Sequence, residues 1–78
     1  MEREVNMKIN NQFDNGRETF YSVELEEDVF VDVKHIDGLY YVMDCEDGYR
    51  AYNNDGNSFD YYFNEKDVLK FVKENRND

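Results

Sequence analysis

The stretch VFVDVKHIDGLYYVMDC, residues 29–45, decides the fold. It contains two runs of β-branched and aromatic residues, each alternating with polar residues, on either side of Asp37-Gly38, and this pattern is typical of a β-hairpin. The same Asp/Asn-Gly dipeptide recurs along the chain, since each of the four glycines follows Asp or Asn. We therefore predict turns at Asn15-Gly16, Asp37-Gly38, Asp47-Gly48 and Asp55-Gly56.

Alternating runs between the turns predict six strands, and the last segment predicts a helix. The strands are expected at residues 4–13, 18–25, 29–35, 39–45, 49–53 and 58–63. Apolar residues then recur at helical spacing, and Asn64 can cap the first turn, so residues 65–75 are expected to be helical. The expected fold is a single α+β domain over residues 1–78. It is a curled antiparallel β-meander of five to six strands, with the C-terminal helix packed on its inner face.

The register of the first hairpins follows if each glycine closes a three-residue loop in the left-handed position. The first hairpin then pairs Phe13 with Arg17, and the hairpin at Asp37-Gly38 pairs Val33 with Tyr41. A two-residue Asp37-Gly38 loop would place Val31 opposite Asp44, so the three-residue register is preferred.

The same spacing extends the register to the other strands. A turn at residues 26–28 pairs Val23 with Val31, and the loops that follow pair Met43 with Ala51 and Ala51 with Phe59. Because one helix is narrower than six strands, the sheet must curl around it or pair with another surface, and a homodimer is one solution. The residues expected on the inner face are Val5, Met7, Ile9, Tyr21, Val23, Val29, Val31, Val33, Tyr41, Met43, Phe59, Tyr61 and Phe63.

The composition excludes several classes of function. A net charge of −10 is incompatible with direct binding to nucleic acid and is repelled by anionic membranes. The longest apolar run, residues 39–43, is far too short to span a membrane, and the first 20 residues contain no signal-type apolar block. We therefore expect a cytoplasmic protein, whose true start is either Met1 or Met7. The single cysteine excludes an internal disulfide.

The acidity is confined to the middle of the chain. Residues 1–17 and residues 61–78 each sum to zero, whereas residues 18–60 carry twelve carboxylates against Lys34 and Arg50. Ten charges correspond to about 17 Å of duplex DNA, which is close to the width of the predicted sheet. Small domains normally intersperse both signs, since a field of one sign costs stability and is useful mainly for steering a partner. Solubility alone is the alternative explanation of the acidity.

The preferred register places part of this charge on the outer face of the sheet. Asp44, Arg50 and Asp60 are expected to be neighbours across three strands, and Asp32 lies on the same face. The turns add Glu26, Glu27, Asp28, Asp37, Glu46, Asp47 and Asp55. Four aromatic residues are expected among these carboxylates, where they could anchor a protein partner: Phe30, Tyr40, Tyr52 and Tyr62.

The candidates for chemistry are weak. Cys45 and His35 are the only thiol and imidazole, and the register separates them by about 20 Å, too far for a catalytic dyad. The Asp-rich turns lack the spacing of a helix-loop-helix calcium site. No Gly-rich phosphate loop occurs. We therefore expect no catalytic residues, no metal, no cofactor and no enzymatic activity.

In its size, its acidity, its Tyr-rich sheet and its single helix, the chain resembles the small phage-encoded inhibitors that mimic DNA, among them anti-CRISPR proteins. The resemblance concerns the charge pattern of residues 18–60 and is not carried by a sequence motif. It implies a stoichiometric inhibitor in the cytoplasm of a bacterial host, where it blocks the nucleic-acid groove of a basic partner such as a CRISPR effector or another nuclease. The alternative is a generic interaction module or homo-oligomer that uses an exposed aromatic sheet face. The expected contact residues are Glu26, Glu27, Asp28, Phe30, Asp32, Tyr40, Asp44, Tyr52, Asp60 and Tyr62.

Overall fold

The computed structural model describes residues 7–45 and 48–76. They form an antiparallel sheet in meander order followed by one helix, which confirms the predicted α+β architecture. The elements are β1 (Lys8–Asp14), β2 (Glu18–Glu26), β3 (Val29–Ile36), β4 (Leu39–Met43), β5 (Ala51–Tyr52), β6 (Ser58–Phe59) and α1 (Glu65–Asn75).

Strands β2 and β3 form the centre of the sheet, in the predicted register. Val23 pairs with Val31 as expected, and the ladder shifts by one position near Leu25, where a bulge ends the regular pairing. Asp28 lies in the left-handed region at φ 63°, the conformation that glycine supplies in the other turns. Asp tolerates this conformation better than most residues, so the turn closes without glycine.

The register between β3 and β4 differs from the prediction by one residue. Val33 pairs with Val42, and not with Tyr41, because the connecting loop contains only Asp37 and Gly38. Both loop residues have positive φ, 52° and 79°, as a type I′ turn requires. The slip reverses β4, so that Tyr40 and Val42 pack against the core while Tyr41 and Met43 take the opposite face.

Strands β4 and β5 share one edge of β3, and the predicted pairing of Met43 with Ala51 is absent from the described ladders. β4 ends at Met43 and not at residue 45, and β5 then pairs with β3 through Tyr52 and Phe30. β5 and β6 are also shorter than the predicted strands 49–53 and 58–63. Their register is the predicted one, with Ala51 opposite Phe59.

The first hairpin also has a shorter loop than predicted. The Asn15 N–H donates to the Glu18 carbonyl, closing a two-residue loop over Gly16 and Arg17. Phe13 therefore pairs with Phe20, and not with Arg17. A bulge between Ile9 and Asn11 shifts the register back, so Ile9 still packs against the core while Phe13 lies on the opposite face.

The core lies between the inner face of the sheet and α1. Asn64 caps the helix as predicted, since its side chain accepts a hydrogen bond from the Asp67 N–H. Val68 and Val72 are almost fully buried against the sheet. Val5, which we expected in the core, lies outside the described residues. The buried core residues are Tyr21, Val23, Leu25, Val29, Val31, Val33, Ala51, Val68 and Val72.

Candidate protein-binding surface

A group of exposed carboxylates lies at one end of the sheet. Glu26 is the last residue of β2, Glu27 and Asp28 form the β2–β3 turn, and Asp55 lies in the loop between β5 and β6; all four side chains are exposed. The Asp28 Oδ1 atom accepts a hydrogen bond from the Asn54 N–H at 2.9 Å, which holds the turn and the loop side by side. Neither segment contains a lysine or an arginine. We call these four carboxylates the acidic end.

The outer face of the sheet, in contrast, is almost neutral. The pairing places three carboxylates and two lysines there, and both lysines are engaged. Lys8 lies 3.4 Å from Glu24, and Lys34 lies 3.4 Å from Glu18. Asp32 is the third carboxylate. The predicted acidic outer face is therefore a mixed surface, and the unbalanced charge lies in the turns and loops.

Asp32 is part of a hydrogen-bond network in the middle of that face. The Tyr52 hydroxyl donates to the Asp32 Oδ1 atom at 2.6 Å and lies 3.0 Å from the Ser22 Oγ atom. The Tyr52 ring stacks on Phe30 with 5.7 Å between the ring centres, and Phe30 is buried. Burial, and then the hydrogen bond to Asp32, raises the pKa of Tyr52 from 10.0 to about 12. These residues share the predicted face, but Phe30 is too buried to anchor a partner.

The predicted neighbourhood of Asp44, Arg50 and Asp60 forms only in part. The Arg50 Nε atom lies 3.5 Å from Asp44, but the Arg50 Nη2 atom lies 3.0 Å from Glu65 at the start of α1. Arg50 also covers the ring of Phe63 at 4.9 Å. Asp44 and Asp60 lie outside the strands and are exposed. Arg50 therefore ties the segment after β4 to the helix, and Asp44 is partly neutralised.

The remaining predicted anchors, Tyr40 and Tyr62, lie in different environments. Tyr40 packs on the inner side, where it stacks on His35 with 4.2 Å between the ring centres and its hydroxyl accepts a hydrogen bond from Arg76. It is not part of the outer face, because the β3–β4 register is shifted. Tyr62 is fully exposed, and the hydroxyl of its neighbour Tyr61 donates to Glu26. Tyr62 is therefore the most exposed of the four predicted anchors, and it follows in sequence a residue that contacts the acidic end.

Sequence reasoning missed an apolar patch at the other end of the outer face. Phe13 pairs with Phe20, Lys34 pairs with Tyr41, and Ile36 pairs with Leu39, which places five apolar side chains around the Glu18–Lys34 ion pair. Only the correct loop lengths at Gly16 and Gly38 reveal this patch, because a slip of one residue moves each side chain to the opposite face. We call it the apolar band: Phe13, Phe20, Ile36, Leu39 and Tyr41.

The residues considered for chemistry have structural contacts. His35 stacks on Tyr40, and the Cys45 Sγ atom donates to the Ala51 carbonyl at 3.6 Å. Among the described residues, no group of three or more His, Cys, Asp or Glu side chains could hold a metal ion. Within those same residues, no helix combines the length and the hydropathy needed to cross a membrane. Glu46 and Asp47, two of the predicted turn acids, lie outside the described part of the chain.

The chain shows no match to a protein-family model, to a curated protein or to a solved structure. The resemblance to DNA-mimicking inhibitors therefore stays a prediction from charge and size.

Proposed function

We propose that the chain is a non-catalytic inhibitor that binds the nucleic-acid-binding groove of a basic partner protein, such as a CRISPR effector or another nuclease, in the bacterial cytoplasm. In this proposal the carboxylates of the acidic end occupy the positions of backbone phosphates. One observation carries the proposal: four exposed carboxylates stand together at one end of the sheet, with no lysine or arginine in the segments that bear them.

The position of these charges favours a partner over solubility alone. On the outer face, two of the three carboxylates are balanced by lysines, Glu24 by Lys8 and Glu18 by Lys34, and the third, Asp32, accepts a hydrogen bond from the Tyr52 hydroxyl. Charges that serve only solubility are normally mixed in sign over the surface. A cluster of one sign raises the association rate with a partner of opposite sign and suppresses partners of the same sign. The acidic end is therefore suited to a basic groove.

The acidic end also has a structural feature that favours binding. The Asp28 to Asn54 hydrogen bond joins its two segments, and the Tyr61 hydroxyl donates to Glu26. Carboxylates that are already positioned lose less conformational entropy when they bind. Tyr62, which is next to Tyr61 and fully exposed, supplies an aromatic side chain of the kind that is enriched in protein interfaces.

The test uses the immobilised wild-type chain to capture proteins from a bacterial lysate at low salt, followed by elution with duplex DNA. We expect a nuclease or another DNA-binding protein to be retained and then released by the DNA. The triple variant E26Q/E27Q/D55N should retain less of it than the control D37N/D67N/E74Q, because both remove three carboxylates but only the first changes the acidic end. Equal retention by the two variants, or a captured protein that DNA does not displace, would contradict the proposal.

A further inference from the structure

Basic side chains from the C-terminal end of α1 and from β3 meet at the ring of Tyr40. The Arg76 guanidinium donates a hydrogen bond to the Tyr40 hydroxyl, and its Cζ atom lies 5.9 Å from the centre of the ring. The Lys73 Nζ atom lies 5.4 Å from the same centre. The His35 ring stacks on Tyr40 with 4.2 Å between the ring centres and 10° between the ring planes. We call His35, Tyr40, Lys73 and Arg76 the Tyr40 cluster.

Lys73 has no carboxylate partner in the described part of the chain. Three other basic residues each have a carboxylate oxygen within 4 Å: Lys8, Lys34 and Arg50. Among residues 7–45 and 48–76, no carboxylate comes this close to Lys73 or His35. Lys73 and Arg76 are three residues apart, so their side chains are neighbours on the helix and like charges there repel. A bound anion would remove this repulsion.

The acidic end lies too far away to neutralise the cluster. His35 lies six residues along β3 from Val29, which directly follows the acidic β2–β3 turn, and this corresponds to about 20 Å of strand. That is more than twice the Debye length of about 8 Å at physiological ionic strength. The acidic residues adjacent to the cluster in sequence are Asp37 and Glu74, which are both exposed. Glu74 directly follows Lys73, and consecutive residues of a helix do not face each other.

Tyr40 holds the two cations of the helix in place. Its ring attracts the Lys73 ammonium and the Arg76 guanidinium through cation–π contacts, and its hydroxyl fixes one N–H group of Arg76. A guanidinium has five N–H donors, so it can still bind an anion while it donates to Tyr40. Side chains that are already positioned lose less conformational entropy on binding. The cluster is therefore organised before any ligand arrives.

We propose that the Tyr40 cluster binds a phosphate group, either inorganic phosphate or a phosphate monoester. Arginine recognises phosphate through paired hydrogen bonds, and lysine supplies a compact positive charge. A phosphate group carries close to two negative charges at neutral pH and so matches both cations, whereas a carboxylate would match only one. The His35 ring supplies a further N–H donor beside Tyr40. This site does not depend on the proposed inhibitory function, because it uses none of the residues of the acidic end.

The first test is a titration of the ¹⁵N-labelled wild-type chain with sodium phosphate at pH 7.5, followed by NMR, with sodium chloride adjusted to keep the ionic strength constant. We expect saturable shifts of the backbone amide signals of residues 35, 40, 73 and 76. An exposed site with two charge-assisted hydrogen bonds should have a Kd on the order of 1 mM. Shifts that do not saturate, or that are spread evenly over the chain, would overturn the proposal.

Two double variants of the helix separate this site from a general attraction to lysine. K73Q/R76Q and K66Q/K70Q each remove two positive charges from the end region or the exposed face of α1, but only the first changes the cluster. We expect K73Q/R76Q to weaken phosphate binding at least about tenfold and K66Q/K70Q to leave the Kd near the wild-type value. The single variant K73Q, which keeps the contact between Arg76 and Tyr40, should also weaken binding even if the double variant fails to fold. Equal weakening by the two double variants, or unchanged binding by K73Q, would refute the site.

A titration with AMP distinguishes the two sources of phosphate. A lower Kd for AMP than for inorganic phosphate would assign the site to a phosphate monoester, and equal Kd values would assign it to the free ion. Adenosine, which lacks the phosphate, is the control and should not shift the signals of the cluster. If adenosine binds as tightly as AMP, the phosphate group is not what the cluster recognises and the proposal is wrong.

Discussion

The register of β4 can be tested with two substitutions of the same residue type at adjacent positions, Tyr40→Ala and Tyr41→Ala. Tyr40 lies on the helix side, where it stacks on His35 at 4.2 Å, lies under the Lys73 ammonium at 5.4 Å and accepts a hydrogen bond from Arg76. Tyr41 lies on the outer face and is 43% exposed.

The two substitutions should therefore differ strongly in their effect on stability. Loss of the Tyr40 ring removes an aromatic contact of about 1 kcal/mol, a hydrogen bond of about 1 kcal/mol and cation–π contacts of about 0.5 kcal/mol. The expected loss is about 2 to 3 kcal/mol, or roughly 10 to 20 °C in Tm for a domain of this size. Tyr41→Ala should change the stability of the monomer by only about 0.5 kcal/mol.

The assay is urea and thermal unfolding followed by circular dichroism, at two protein concentrations tenfold apart. Self-association would stabilise the folded state in a concentration-dependent way, so the comparison separates the stability of the monomer from any effect of self-association. If Tyr41→Ala proves the more destabilising change at both concentrations, β4 has the three-residue register and the reasoning about its faces is wrong.

Three further predictions concern the turn, the helix and the outer-face network. Gly38→Ala should lower the free energy of unfolding by about 1 kcal/mol: the positive φ of +79° strains an alanine, while nothing lies within 4 Å of the new Cβ to clash with it. Asp37→Asn should leave the free energy of unfolding nearly unchanged, because asparagine is also favoured in a type I′ turn. Equal unfolding midpoints in urea for the two variants would contradict this. Val72→Ala should lower the free energy of unfolding by about 2 kcal/mol in the same assay, since the side chain is fully buried against the sheet. An unchanged free energy of unfolding would mean that α1 does not pack there. The pKa of Tyr52, raised to about 12, favours the protonated phenol in the folded state, so its contribution to stability is complete below pH 10 and is lost as pH rises through about 12. The difference in absorbance at 295 nm between wild type and Tyr52→Phe should accordingly develop near pH 12, and its appearance near pH 10 would refute the network.

The sequence was sufficient to predict the fold class, the helix and the pairing of the central strands. The helix combines an Asn64 cap with an apolar stripe, and both signals are local. The pairing of Val23 with Val31 was predictable because the inner-face residues Tyr21, Val23 and Leu25 of β2 alternate with polar residues, as do Val31 and Val33 of β3, so a slip would have buried charges.

The error at Asp37-Gly38 has a specific physical cause. The sequence pattern disfavours a two-residue loop, because such a loop places Val31 opposite Asp44 if β4 continues to residue 45. In the structure β4 stops at Met43, and β5 occupies the remaining edge of β3 through Tyr52. This change of pairing partner along the edge of β3, from β4 to β5, depends on contacts distant in sequence, which a local pattern does not reveal.

The predicted register of the first hairpin was wrong for a related reason. A two-residue loop alone would have turned Ile9 away from the core, and the bulge before Asn11 restores it. Loop length and bulge compensate each other, so the alternation of residues did not distinguish the two solutions. The shifted register of β4 changes the candidate site, because Tyr41, which we expect on the inner face, lies on the outer face, and Tyr40, which we expect on the outer face, lies on the inner side.

The most direct test of the proposed function measures the association rate constant with the captured DNA-binding partner as a function of ionic strength. We predict a steep fall with salt for the wild type, a rate that is markedly lower and less salt-dependent for E26Q/E27Q/D55N, and a near wild-type response for D37N/D67N/E74Q. A rate that does not change with salt, or an equal loss in the two triple variants, would contradict the claim that the acidic end is the binding surface.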